Sequence, residues 1–385
     1  MSRFDRAIDR SGTYSVQYDE RGAKFGREDL LPLWVADMDL PSPQCVTDAL
    51  LKRASHPVYG YTLYPDRFFD AVTAWMAKQH GWSIEKESIV PVPGVVPALN
   101  LLVNALSEPG EGILIQPPVY HPFFRLGKNH GRKLLKNPLR LENGRYRIDF
   151  DDFSKKAKEA RLFVLCSPHN PVGRVWEREE LMRMAQICRD EEVVILSDEV
   201  HADILFSPHT HTPTASLGRD ISEITVTLNA PSKTFNIAGL NTAYAIIEND
   251  SLRRRFASEI RRYELTMGNL FGIEALMAAY EGGSTWLAEL LLYLRGNVEY
   301  VTDSLQSEKP AIVPIEPEAT YLMWLDCRGL GMSDKELEDF FINKAGLGLN
   351  TGISFGEEGS GFMRMNVGCP RSKLEEAMKR LKSAL

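Results

Sequence analysis

Five short runs, at residues 112–116, 162–166, 193–197, 224–228 and 242–247, constrain this chain most. They are β-branched, almost unbroken in hydrophobicity, and separated by helical patterns. A strand with one wet face alternates apolar and polar residues, whereas a strand covered on both faces need not. Helices placed between such strands supply the cover, so the pattern predicts an α/β fold with a mostly parallel central sheet flanked by helices. Residues 89–92 read as a further strand. Helices are predicted over 95–106, stopping before Pro109-Gly110, and over 177–189. Beyond about residue 250 long helical patterns dominate, followed by a smaller α+β unit with a strand near 320–325 and a closing helix from Ser372. The segment before Pro43 has no place in the parallel sheet and is expected to pack with that unit. At 385 residues the chain exceeds what one core usually serves. The expected division is a large domain over 43–280 and a small one formed by 1–42 with 281–385.

Hydrophobic residues at 44% and charged residues at 25% predict a packed globule rather than disorder. The net charge of −7 argues against nucleic acid or an anionic membrane as the main partner. No apolar stretch is long enough for a membrane span, and residues 1–12 lack the apolar core of a secretory signal. Five scattered cysteines without a CxxC pair disfavour a zinc site or a disulfide framework, so no metal is expected and a reducing cytoplasm fits. His209 and His211 are close in sequence but have no acidic or cysteine partner beside them. Neither G-x-G-x-x-G nor G-x-x-x-x-G-K-[ST] occurs, which disfavours a dinucleotide enzyme and a phosphate-loop NTPase.

In open parallel sheets ligands gather at the carboxyl ends of the strands. Three predicted strands lead into Ser167-Pro168-His169-Asn170, Asp198-Glu199-Val200-His201 and Pro231-Ser232-Lys233-Thr234. An amide, a carboxylate and an amine would therefore meet on one edge. Alone, Asn170 suits a turn and Asp198 a helix cap. Together they match what pyridoxal 5′-phosphate requires: a Schiff-base lysine and an acid at the pyridine nitrogen. Lys233 is the candidate for the first role and for removing the substrate α-proton, which needs a lowered lysine pKa. Asp198 is the candidate for the second, and Asn170 for a hydrogen bond to the phenolic oxygen. The phosphate is expected at Gly94-Val95-Val96, where a helix begins directly after a strand and free N–H groups meet the helix dipole. Pro97 costs nothing in that first turn. Tyr120 offers a ring to stack on the pyridine.

The strings SPHNPVGRVW, LSDEVH and APSKTFNIAGL resemble those of the aspartate-aminotransferase superfamily of fold-type I pyridoxal-phosphate enzymes. WVADMDLPSP, YGYT, GVVPAL, PPVYHPF and MRMNVGCPR more narrowly resemble the MalY/PatB group of cystathionine β-lyases and related cysteine-sulfur lyases. The resemblance runs from Trp34 to Arg371. It implies that Arg364 clamps the substrate α-carboxylate, a duty suited to a bidentate guanidinium. It further implies that backbone around Ala36 lies near that carboxylate and that the Ser232 hydroxyl helps hold phosphate. Tyr61 would reach the cofactor phosphate of a neighbouring subunit, making the protein a homodimer with shared sites. Two departures from many aminotransferases stand out. His201 replaces a tyrosine, as in the lyase group, and Asn241 stands where a phosphate-binding arginine is common.

The resemblance thus implies a β-elimination: Lys233 takes the α-proton, a thiolate leaves Cβ, and the remainder hydrolyses to pyruvate and ammonia. An aminotransferase is the competing expectation, because it shares every step up to the carbanion. A regulatory role through a transcription factor, which the group resemblance also brings in, finds no marked surface in the sequence.

Overall fold

The computed structural model describes residues 2–306 and 311–385, so Met1 and residues 307–310 of the two ends' expected unit lie outside the described residues. Seven strands form the central sheet: β1 (Ile89–Val92), β2 (Gly112–Ile115), β3 (Lys133–Lys136), β4 (Ala160–Cys166), β5 (Val194–Asp198), β6 (Thr225–Asn229) and β7 (Ala243–Ile246). Their spatial order is β1-β7-β6-β5-β4-β2-β3. Neighbours pair in parallel except β7, which is antiparallel to both β1 and β6. Strands β2, β5, β6 and β7 are buried throughout, which is why they read as unbroken apolar runs.

Strand β3 was not expected. It is an edge strand, Lys-Leu-Leu-Lys, with no fully buried residue, so neither a continuous nor an alternating pattern marks it. The reversal of β7 has a local cause. Between it and β6 lie only the short helix Pro231–Thr234 and a 3-10 turn at Ala238–Leu240, with no helix long enough to carry the chain back along the sheet to a parallel start.

Helices cover the sheet. Helices α1 (Gln44–Ala54) and α2 (Asp66–His80) precede β1, and α3 (Val95–Leu106) follows it. Helix α3 buries Ala98, Leu99, Leu101, Leu102, Val103 and Leu106. At roughly 1.5–3 kcal/mol for each fully buried leucine-sized side chain, this packing rather than intrinsic propensity holds the helix in place. Then come α4 (Pro122–His130) and α5 (Arg178–Asp190), and, after β7, α6 (Asp250–Arg262), α7 (Leu270–Gly282) and α8 (Ser284–Leu305). A second, antiparallel sheet follows, from β8 (Val313–Ile315), β9 (Leu322–Asp326), β10 (Asn350–Thr351) and β11 (Phe362–Asn366), in the order β8-β9-β11-β10. Helix α9 (Arg371–Ala384) closes the chain.

The N-terminal segment lies against this second sheet. Leu31–Pro32 pairs in parallel with Leu347–Gly348, and the Asp39 amide donates to the Gly368 carbonyl at 2.8 Å. The Asn366 side chain donates to the carbonyls of Val35 and Asp37, at 2.6 and 2.5 Å. Residues 35–37 are thereby brought from the small sheet to the edge of the large one. Among the described residues no helix is long and apolar enough to cross a membrane, and no group of side chains could hold a metal ion.

Candidate active site

Cys166, Asp198 and Leu228 stand side by side in the register of β4, β5 and β6. The chain leaves all three strands at the same edge, so Asn170, Asp198 and Lys233 arrive together. They line one cavity of about 300 Å³, with Gly94, Val95 and Val96, Tyr120, His201, Ser232 and Ala36 also on its wall. Of the residues singled out in the sequence, Arg364 stands just behind it, bonded to Asn170. Tyr61 does not reach it: it is 96% exposed and projects from this chain.

Asp198 is 5% exposed and makes no ion pair among the described residues. Its Oδ1 accepts from the Val200 amide at 3.3 Å. Burial pushes its carboxyl up to about 7, against the pull of that amide and of the Lys233 charge. A buried carboxylate with no cation in contact with it is a group prepared for a cationic ligand atom.

Lys233 is anchored by its neighbours. Its Nζ donates to the Ala36 carbonyl at 2.6 Å, and the Tyr321 hydroxyl donates to the same oxygen at 2.9 Å. Burial, with the Arg364 charge behind it, lowers the ammonium to about 8. The next residue, Thr234, donates to Asp203 at 2.8 Å. Asp203 also accepts from the Trp75 indole at 3.2 Å and pairs with His80 at 2.9 Å, so helix α2 fixes the turn that carries the lysine.

Arg364, on β11, is 3% exposed. It donates to Asn170 Oδ1 at 3.1 Å, to the Trp34 carbonyl at 2.8 Å and to Asn350 Oδ1 at 2.7 Å. Its guanidinium lies 4.8 Å from the centre of the Phe355 ring. All these acceptors are neutral, and Nε has no partner among the described residues. Burial pulls its pKa down to about 10. A buried arginine without a counter-anion is expensive unless a ligand brings one. Because Asn170 spends its oxygen on Arg364, its Nδ2 donor remains for the cavity.

Helix α3 starts at the cavity wall with Gly94 as its N-cap; the first backbone bond of the helix runs from Ala98 to Gly94, leaving the N–H groups of Val95 and Val96 free of helical partners. Tyr120 is half-buried beside it, its phenol pushed up by burial and then by Asp198. His201 is 4% exposed, with its ring 6.3 Å from that of Tyr321. Burial and the charges of Lys233 and Arg364 lower it to about 3, so it is neutral at pH 7. Its Nδ1 finds no partner among the described residues. Asn241 and Thr242 also line the cavity. His211 belongs to the core, paired with Glu199 at 2.9 Å.

Sequence reasoning missed Asn350, Tyr321 and Thr242. Asn350 and Tyr321 sit at strand ends of the small sheet, where no motif or spacing distinguishes them. Thr242 had one available signal, its place directly beside Asn241.

The arrangement suits a planar ligand with a basic ring atom at Asp198, an electrophile at Lys233 and an anionic group at the α3 N-terminus, with a second anion at Arg364. Comparison with known proteins agrees. The family model described as aminotransferase class I and II matches residues 28–381. Cystathionine beta-lyase PatB of Bacillus subtilis is 43% identical over 384 residues, covering 99% of both chains. Protein MalY of Escherichia coli is 35% identical, covering 100% of this chain and 99% of its own. The crystal structure of a PLP-bound putative aminotransferase from Clostridium difficile superposes with a TM-score of 0.97 at 41% identity, covering 99% of each chain. The chain therefore belongs to the class I and II aminotransferase family, within its MalY/PatB-type group.

Proposed function

We propose that this protein is a pyridoxal-5′-phosphate-dependent cysteine-sulfur β-lyase of the cystathionine β-lyase type. The observation that carries the reading is the pair of uncompensated buried charges, Arg364 and Asp198, on either side of Lys233. When bound, the cofactor supplies an aldehyde for amine capture and an electron sink for charge at the substrate Cα.

The residues present fit that group. Lys233 would hold its aldehyde, and Asp198 its protonated ring nitrogen, the cation that this buried carboxylate lacks. Asn170 offers Nδ2 to the phenolic oxygen and Tyr120 a ring face. The amides of Val95 and Val96 after Gly94, with the Ser232 hydroxyl, offer donors to the phosphate. Neutral His201 flanks the cavity without adding charge. Arg364 then receives the substrate α-carboxylate, and the backbone at Ala36 lies opposite. Lys233, whose ammonium burial lowers to about 8 in the cofactor-free chain, would be the residue that accepts the Cα proton. Loss of that proton would let the Cβ–S bond break with its electron pair going to sulfur as a thiolate, and water would take the three-carbon fragment to pyruvate and ammonia.

The reading includes a homodimer. Tyr61 is supported as a contributor to a partner's site by its 96% exposure, between Val58 and Leu63, which are 62% and 75% exposed. It takes 43–280 as the cofactor-binding unit and 1–42 with 281–385 as the smaller one, with a small amino acid as substrate. A cytoplasmic setting is supported by five cysteines that are all unpaired. The aminotransferase alternative rests on one observation: nothing in the cavity described above favours loss of the leaving group over reprotonation.

Borohydride reduction of the holoprotein, followed by peptide mass spectrometry, should place the pyridoxyl label on Lys233. Incubation with cysteine thioethers should release pyruvate. A label on another lysine, or no pyruvate from any thioether, would overturn the reading.

A further inference from the structure

A second cavity, of about 590 Å³, opens on the other side of Lys233. It shares Ala36, Lys233 and Ala238 with the first, and its remaining wall includes Arg10, Ser15 and Asp37 from the N-terminal segment. Arg10 and Asp37, with Asp39 behind them, carry the charges of its N-terminal wall. Arg10 Nη2 donates to Asp37 Oδ2 at 2.6 Å, and Nη1 to Asp37 Oδ1 at 3.2 Å and Asp39 Oδ1 at 2.8 Å. Both side chains keep about a fifth of their surface exposed, 21% and 22%. Asp39 is saturated behind them by Lys373 at 2.5 Å, Tyr18 at 2.9 Å and Gln17 at 3.1 Å. Asp37 has Arg10 as its one side-chain partner among the described residues. Arg10 and Lys373 balance the two carboxylates, so this N-terminal part of the wall, across from Lys233, is dipolar and carries no net charge. Ser15, 8% exposed, also lines the cavity, and its Oγ has no partner among the described residues.

We propose that this second cavity is the leaving-group subsite, where Asp37 receives the ammonium and Arg10 the carboxylate of a second amino-acid head group at the far end of the thioether. The inference rests on the β-lyase reading and deepens it. A plain alkyl tail would desolvate the Arg10–Asp37 pair without replacing its hydration, and a purely anionic tail would meet Asp37. A zwitterion matches both partners at once. Asp37 also acts on the Lys233 amine through its charge, which places this wall beside the reacting centre.

The test uses wild-type holoenzyme and four substrates with the same three-carbon tail: L-cystathionine, S-(3-carboxypropyl)-, S-(3-aminopropyl)- and S-propyl-L-cysteine. Thiol release gives kcat/KM for each. Deleting either distal charge should lower it about 10- to 100-fold, the worth of a charged hydrogen bond. Asp37→Asn should cost cystathionine and the aminopropyl substrate more than the carboxypropyl one. S-propyl-L-cysteine matching cystathionine would overturn the subsite and leave the lyase reading standing, and so would an equal proportional loss across all four in Asp37→Asn. No thiol from any of the four would overturn the lyase reading, and the subsite with it.

Discussion

Replacing Asp198 with asparagine should stabilise the cofactor-free protein at alkaline pH while crippling the loaded enzyme. In the cofactor-free chain Asp198 is buried without a cation, and its carboxyl rises from the ordinary 3.8 to about 7. A carboxyl raised in the folded state leaves stability unaffected below pH 3.8, where both states are protonated. As pH rises toward 7 the unfolded chain ionises while the folded one resists, so stability is lost, and above 7 the loss is complete. At 1.36 kcal/mol per pH unit, that penalty is about 2 kcal/mol at pH 5.5 and about 4 kcal/mol at pH 8. The asparagine amide avoids ionisation but adds a burial cost of roughly 1–3 kcal/mol at every pH. The variant's advantage should therefore grow by about 2 kcal/mol between pH 5.5 and pH 8. Denaturant unfolding of both cofactor-free proteins at the two pH values measures it. With cofactor present the order should reverse, because the ring cation pairs with Asp198 alone, and kcat of the variant should fall on the order of 10²- to 10³-fold, a few kcal/mol of lost transition-state stabilisation. An advantage that does not change with pH, or that shrinks as pH rises, would refute the argument.

Arg364→Lys keeps the charge but loses the planar fork, so kcat/KM should fall about 100-fold for every substrate with an α-carboxylate, read by pyruvate release. The Lys233 ammonium, lowered to about 8 in the cofactor-free chain, predicts that capture of the cofactor aldehyde speeds up with pH through about 8, because only the neutral amine can attack it; a binding rate that stays flat from pH 7 to 9 contradicts the assignment. Asp203→Asn should lower stability by about 1–3 kcal/mol in denaturant unfolding, since one acceptor oxygen cannot serve the buried Thr234, Trp75 and His80 that the carboxylate binds together.

The legible parts of this molecule are those where local chemistry and local structure coincide. Strands β2, β5 and β6 are covered on both faces, so their runs carry at most small hydroxyl residues, and Asn170, Asp198 and Lys233 stand at or just past three strand ends. Strand β3 escaped because an exposed edge asks nothing specific of its side chains. The direction of β7 was hidden because a buried run looks the same either way. Arg364 came from resemblance alone. Its surroundings, Asn350 and the Trp34 carbonyl, are assembled by docking of the small sheet and the N-terminal segment on the large sheet, contacts made across more than 300 residues for Trp34. The Arg10–Asp37 wall arises the same way: Asp37 lies in a string that the resemblance places near the site, but its pairing with Arg10, 27 residues earlier, is made only by the fold.

The central claim is elimination rather than amino transfer, and one incubation separates them. Purified holoenzyme is given L-cystathionine with no keto acid, while pyruvate, free thiol and the cofactor spectrum are followed. The account predicts sustained turnover with pyruvate and thiol in equal amounts and the cofactor unchanged. A single turnover that leaves pyridoxamine phosphate, with activity restored by adding a keto acid, would contradict it.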